Sequence, residues 1–232
     1  MTATAHVDRP AARPVLAIYD AALRRAHSGR PAALTLRDDR GDDHGLDPAA
    51  WCRDATPGDD GLLARCAGPT LDVGCGPGRL TAALNRAGHP ALGIDISAAA
   101  VQLARRRGAT ALRRDVFDPL PGHGRWRHLL LADGNIGIGG DPARLLRRCG
   151  DLLAPAGRLH AEVGAPGTRS WSGPASIRAD HADHAGDAAH SAEFRWAAVA
   201  ATDLSAHAAA AGLRILGFWT EANRWFTTLT RS

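Results

Sequence analysis

Lysine is absent from this chain of 232 residues: all 28 basic residues are arginine. That excludes a Schiff-base lysine, a Walker lysine and a Ser–Lys dyad. Cysteine is scarce. Cys52, Cys66, Cys75 and Cys149 form no CxxC pair, so reduced, mostly buried thiols are expected rather than a zinc ribbon or a thioredoxin-type site. No apolar run approaches the roughly 20 residues needed to cross a bilayer. The opening MTATAHVDRP lacks the charged start and apolar stretch of a secretory signal. A soluble cytoplasmic protein without membrane contact is the expectation. Tyrosine occurs once, as Tyr19.

What is present suffices for a core. Hydrophobic residues make up 45% and charged residues 22%, a globular balance, and the length suits one α/β domain with a short appendage. The net charge of +4 and pI of about 9.3 permit nucleic-acid binding without requiring it. The grouped arginines, such as Arg105 to Arg107, fall at the ends of expected helices and strands, where the helix macrodipole favours cations.

Pro14 suits a first helical turn, and Leu16, Tyr19, Leu23 and His27 follow at helical spacing up to Gly29. Residues 30–48 alternate as LTL and turn at DDRGDD, which suits a small hairpin. Residues 1–67 thus read as an N-terminal helix and hairpin cap. From residue 70 strands and helices alternate: TLDV and LTAALNRAG, ALGIDI and SAAAVQLARRRG, ALRRDVF, RHLLLAD, a helix over 141–157, then RLHAEV. This rhythm predicts a doubly wound α/β sheet with right-handed crossovers over 68–232. Residues 164–192 read as a long loop. LRILGFWT and RWFTTLT, joined by EAN, close the chain as an antiparallel hairpin.

In LDVGCGPGRL, residues 71–80, Gly74, Gly76 and Gly78 stand where the first strand turns into a helix. Ligands of such sheets bind beyond the carboxyl ends of the strands. Glycines there allow a tight turn, and a helix N-terminus favours an anion. Asp95 ends the second strand, where a carboxylate can accept from both ribose hydroxyls of a nucleoside. A dinucleotide would prefer GxGxxG; this chain has GxGxG with Pro77 in the turn.

The spacing, with the leading Asp72, resembles motif I (DxGxGxG) of the class I S-adenosylmethionine-dependent methyltransferases. Asp95 matches the family's ribose-binding acid. Asp115 and Val116 match the residues flanking adenine; the alternative for Asp115 is a plain helix N-cap or turn residue before PLPG. The resemblance covers residues 68–163 well and 200–230 in outline. It implies a seven-stranded Rossmann-like sheet with the final strand inserted antiparallel. The cofactor it implies is S-adenosyl-L-methionine, leaving as S-adenosyl-L-homocysteine, with its methionine carboxylate meeting N–H groups of the glycine loop. By this likeness Asp72, Gly74, Cys75, Gly76, Gly78, Asp95, Ile96, Asp115, Val116 and Asp133 would hold it.

The activity implied is methyl transfer by in-line displacement, for which the protein mainly aligns the reactants and excludes water. Strand four ends in Asp133-Gly134-Asn135, without the NPPY-type sequence of base amino methyltransferases, which counts against nucleobase methylation. A small-molecule acceptor is expected, with bacterial specialised metabolism one setting. An RNA or protein methyltransferase and a non-catalytic cofactor-binding module are the alternatives. Asp133 and Asn135 are candidates to orient the acceptor, or they simply build the turn. Glu162 shares a strand face with His160 and lies nearer the carboxyl end, so it is the better candidate. Tyr19 is a candidate lid residue. His181, His184 and His190, with Asp183 and Asp187, offer a base but no firm ligand geometry, and no metal centre is expected.

Overall fold

The carboxyl ends of five parallel strands and a four-stranded sheet above them frame a large cleft. The computed structural model describes residues 12–180 and 193–232; the histidines and aspartates of 181–190 named above lie outside the described residues. Helix α1 (Ala12–His27) is followed by the expected hairpin, β1 (Leu34–Arg37) and β2 (Asp43–Leu46), and two short helices, α2 (Pro48–Trp51) and α3 (Asp59–Leu63). The alternating region gives β3 (Thr70–Val73), α4 (Arg79–Arg86), β4 (Ala91–Asp95), α5 (Ala98–Arg106), β5 (Ala111–Arg113) and β6 (Trp126–Leu131). A 3-10 segment (Asn135–Gly140) leads into α6 (Pro142–Leu152) and β7 (Leu153–Val163). The chain continues as β8 (Trp171–Ala179), β9 (Phe194–Ala198), α7 (Leu204–Ala210), β10 (Leu213–Glu221) and β11 (Arg224–Arg231).

The larger sheet has seven strands in the order β10-β11-β7-β6-β3-β4-β5. β5, β4, β3, β6 and β7 run parallel, and β11 is antiparallel to both β7 and β10. This is the Rossmann-like sheet with its last strand inserted antiparallel. All four residues of β3 are buried, as expected for a central parallel strand covered on both faces. One face packs Leu71, Leu129 and Leu159 against α6 and α7, and the other packs Leu130 and Phe226 against α3 and α4. The Ser97 side chain caps α5, accepting from the Ala100 N–H at 2.9 Å.

Two expectations are corrected. The helix expected over 141–157 stops at Leu152, and β7 begins at Leu153. Pro155 disfavours helix at its predecessor, and Ala156 has a φ of 59°. The long loop expected over 164–192 contains β8. Its first half pairs with β9 and its second half with β1, so Pro174 sits where only one neighbour needs a ladder donor. Its inward residues, Trp171, Ala175 and Ile177, are buried, but Gly173 and Pro174 hide the alternation.

β8 completes a second, antiparallel sheet, β2-β1-β8-β9, which joins residues 34–46 of the N-terminal segment to residues 171–198. Leu36, Trp171, Ala175 and Ile177 face Val15, Ile18 and Tyr19 of α1. Buried Asp38 pins its hairpin, accepting the N–H groups of Arg40 and Asp42 at 2.9 and 3.0 Å and an ion pair from Arg169. This sheet and α1 roof the carboxyl ends of β3, β4 and β6.

Candidate active site

β3 ends at Val73, and the next turn needs three left-handed residues: Gly74, Gly76 and Gly78 have φ of 72°, 52° and 78°, a region costly for any residue with a Cβ. At Gly78 an added Cβ would lie 2.6 Å from the Ala104 Cβ, and at Gly74 it would lie 2.8 Å from the Asn135 amide. At Gly76 the nearest atom would be the Tyr19 hydroxyl, 3.6 Å away. Gly74 and Gly78 are thus fixed by close packing, whereas the Gly76 backbone forms an open cradle beneath Tyr19.

The loop's own N–H groups are largely engaged. Those of Gly74 and Cys75 donate to the Ile94 carbonyl at 2.9 and 3.0 Å, and that of Gly78 to Cys75. The Gly76 N–H donates to Asp95 Oδ2 at 3.0 Å, and Ser97 N donates to Asp95 Oδ1 at 2.8 Å. The Asp95 carboxylate is thereby held rigidly at the rim of the crevice. Burial pushes its pKa up to about 6, against the pull of these N–H groups. Asp72 is also buried, accepts from Thr81 Oγ1 at 2.7 Å, and is pushed up to about 6 by burial. Its bond ties β3 to α4 beneath the loop.

The remaining sequence candidates divide. Ile96 lines the cleft and is 45% exposed, unusual for a large apolar side chain. Asp115 also lines the cleft and accepts from the Phe117 N–H at 2.9 Å, so it builds the turn as well. Val116 is buried, with its carbonyl held by Arg148 Nε at 2.8 Å. The Cys75 thiol points away into the sheet, where a Cβ on Gly93 would meet its sulfur at 2.7 Å; only its backbone belongs to the loop.

At the ends of β6, β7 and β11 lies an ion cluster that the sequence reading missed. Arg79, the first residue of α4, pairs with Asp59 and with Asp133 Oδ2, the latter at 2.5 Å. Arg224 reaches Asp59 and Asp133 at 3.0 Å each and Glu162 at 2.7 Å. Glu162 also accepts the Asp133 N–H at 2.6 Å, which holds Asp133 at a φ of 52°. Burial works against the charge on Arg224, but its carboxylate partners more than offset it and its pKa rises. Asp133 and Glu162 are thus engaged by arginines. Asn135 donates to the carbonyls of Val73 and Gly74 at 3.0 and 2.9 Å, clamping the end of β3. Of the missed residues, Arg79 sits within GPGRL itself, directly after the glycines; Asp59 and Arg224 carry no comparable signal.

One family match and three solved structures bear on this site. Residues 70–157 match the family described as Methyltransferase domain. A methyltransferase from Bacteroides fragilis, solved with S-adenosyl-L-homocysteine, is 23% identical with a TM-score of 0.74, covering 97% of each chain. The 1,6-didemethyltoxoflavin-N1-methyltransferase of Burkholderia thailandensis is 18% identical with a TM-score of 0.58, covering 99% of this chain and 93% of that one. The amino pentose methyltransferase CalS10 of Micromonospora echinaspora is 20% identical with a TM-score of 0.54, covering 75% and 90%. Residues 70–157 thus carry the sequence of a methyltransferase domain, and the whole chain has the fold of these S-adenosylmethionine-dependent methyltransferases.

The cleft has a volume of about 710 Å³. It runs from Asp95 and the glycine loop to an apolar chamber under the roof, where Leu16, Leu36, Ile177, Phe194 and Trp196 converge. Tyr19 stands between the two halves. Its ring packs 5.9 Å from Trp51, and burial, with Asp95 nearby, raises its pKa well above 10, so the hydroxyl stays neutral and can donate. α1 is positioned by Asp20, which accepts from the Ser97 hydroxyl at 2.5 Å. Helix α1 is thereby linked to the end of β4.

Proposed function

We propose that this enzyme methylates a small, largely apolar acceptor held under the four-stranded sheet, with Tyr19 as the lid. The observation that carries the reading is the continuity of one roofed cleft from Asp95 to the apolar chamber. A volume of about 710 Å³ falls within the roughly 300–1,000 Å³ of small-molecule sites. A nucleoside cofactor would fill much of it, leaving room for a compact acceptor. Similar proteins act on compact molecules, by name an amino pentose and 1,6-didemethyltoxoflavin, which supports a small-molecule acceptor, with specialised metabolism as one setting.

When bound, S-adenosylmethionine supplies a methyl group activated by a sulfonium. In this reading Asp95 accepts from the ribose hydroxyls, Ile96 and Val116 flank the adenine, and Asp115 accepts from its amino group. The backbone of Gly74 to Gly76 cradles the amino-acid end, and Asp72 and Asn135 brace that turn from below. Asp133 and Glu162, neutralised by Arg79 and Arg224, fix the floor of the site rather than remove a proton. Helix α1 and the β1–β2 hairpin, with β8 and β9, exclude water from the acceptor.

Thermal unfolding with S-adenosylhomocysteine, NAD or neither, followed by a methylation screen of apolar amines, phenols and thiols, tests the reading. A melting temperature raised by S-adenosylhomocysteine alone, with turnover of a small acceptor, is expected. Binding without turnover of any acceptor class would favour a non-catalytic module. An acceptor affinity falling steeply with salt would favour RNA.

A further inference from the structure

Away from the cleft, on the α3 face of the large sheet, three potential metal ligands converge. Cys66 lies just beyond α3, His128 in β6 and His160 in β7, and all are buried. The thiol sulfur and one nitrogen of each ring lie within 4.8 Å of one another, the one such group among the described residues. The rings stack with an interplanar angle of 18°, and His128 Nδ1 and His160 Nε2 are 3.2 Å apart. Metal–nitrogen bonds of about 2.0–2.1 Å at a tetrahedral angle separate two ligand nitrogens by roughly 3.4 Å. The rings need almost no movement to meet that spacing.

The outer shell also suits a metal. His160 Nδ1 lies 2.9 Å from Thr228 Oγ1, so a ring bound through Nε2 would donate its other N–H to an oxygen, as metal-bound histidines commonly do. The Trp219 ring meets His160 edge-on at 6.4 Å and screens the cluster. The Cys66 thiol donates to the Leu62 carbonyl at 3.4 Å, a weak bond for a metal to replace.

We propose that Cys66, His128 and His160 bind one zinc ion that ties the segment after α3 to β6 and β7. The thiol proton leaves to solvent. In the tautomer in which His160 Nε2 donates to His128 Nδ1, that proton passes to His160 Nδ1, which then donates to Thr228 Oγ1, and both facing nitrogens are free for the metal. Two imidazoles and a thiolate are ligands zinc prefers, and water completes the tetrahedron. Nothing in this inference depends on the acceptor or on the methyl donor.

The test uses the full chain, stripped with a chelator and titrated with zinc alone and with cobalt(II) alone. One equivalent of zinc should bind and raise the melting temperature. One equivalent of cobalt(II) should bring a sulfur-to-cobalt charge-transfer band in the near ultraviolet. Cys66→Ser should lose that band, and Thr228→Val, which keeps all three ligands, should weaken zinc by about 10–100-fold. No stoichiometric metal in the wild-type chain, or cobalt bound without the sulfur band, would overturn the proposal and leave the two histidines as a hydrogen-bonded pair. The wild-type spectrum decides even if a variant fails to fold.

Discussion

Asp95 Oδ2 accepts the Gly76 N–H at 3.0 Å, tying the end of β4 to the turn after β3. One carboxylate thus shapes the loop and presents oxygens at the crevice. Asp95→Ala removes both functions. The affinity for S-adenosylhomocysteine should fall by about 1–3 kcal/mol, the range for hydrogen bonds to a charged group, read by calorimetric titration.

The elevated pKa of Asp95 makes binding depend on pH. Burial sets both Asp95 and Asp72 at about 6, above the ordinary 3.8. Between those values the folded chain holds protons that the unfolded chain has released. The contribution of these groups to stability is therefore fully present below 3.8 and is lost as pH rises through about 6. In the proposed binding mode the ribose hydroxyls donate to the ionised carboxylate, which gives ligand binding the opposite sign. S-adenosylhomocysteine affinity should drop as pH falls below about 6, approaching tenfold per unit. Asp95→Asn should flatten the profile, and a flat profile in the wild-type chain would remove Asp95 from the ribose.

The ion cluster should show itself in stability. Arg224→Met leaves Glu162 without its arginine and Asp133 and Asp59 with Arg79 alone. A cost of about 3 kcal/mol is expected, the low end for breaking a buried pair because Arg224 keeps some exposure. Arg79→Met, at a site only 3% exposed, should cost more. Glu162→Gln should lower the denaturation midpoint while leaving kcat within about threefold. A collapse of kcat of a hundredfold or more would make Glu162 a catalytic base instead.

How much of this was legible in the sequence follows the range of the interactions. The glycine turn, Asp72 and Asp95 are local features with fixed spacing, so the walls of the crevice beyond β3 and β4 could be read before any fold. The strand–helix alternation gave the parallel sheet, and the closing hairpin gave its antiparallel insertion. The ion cluster could not be read, because Asp59, Arg79, Asp133, Glu162 and Arg224 meet only after five separate segments have folded. β8 was lost because small residues and Pro174 fill a strand whose burial comes from its neighbours. The boundary between α6 and β7 slipped because LLAPAG continues an apolar pattern that Pro155 ends.

Tyr19→Phe isolates the hydroxyl of the proposed lid residue. Its ring contact with Trp51 would remain, so S-adenosylhomocysteine affinity should change by less than about threefold. The loss of one hydrogen bond to the reacting acceptor, about 1.4 kcal/mol, would lower kcat roughly tenfold. Because the phenol stays neutral at ordinary pH, the pH–rate profile should keep its shape. A lost basic limb in the Phe variant would assign Tyr19 a proton-transfer role.

The most direct test is calorimetric titration of S-adenosylhomocysteine into the wild-type chain and into Asp95→Ala under identical conditions. Saturable one-to-one binding in the first and clearly weaker binding in the second is the expected result. Absence of binding to the wild-type chain, or equal affinity in both, would contradict the assignment of the crevice between β3 and β4 to the methyl donor.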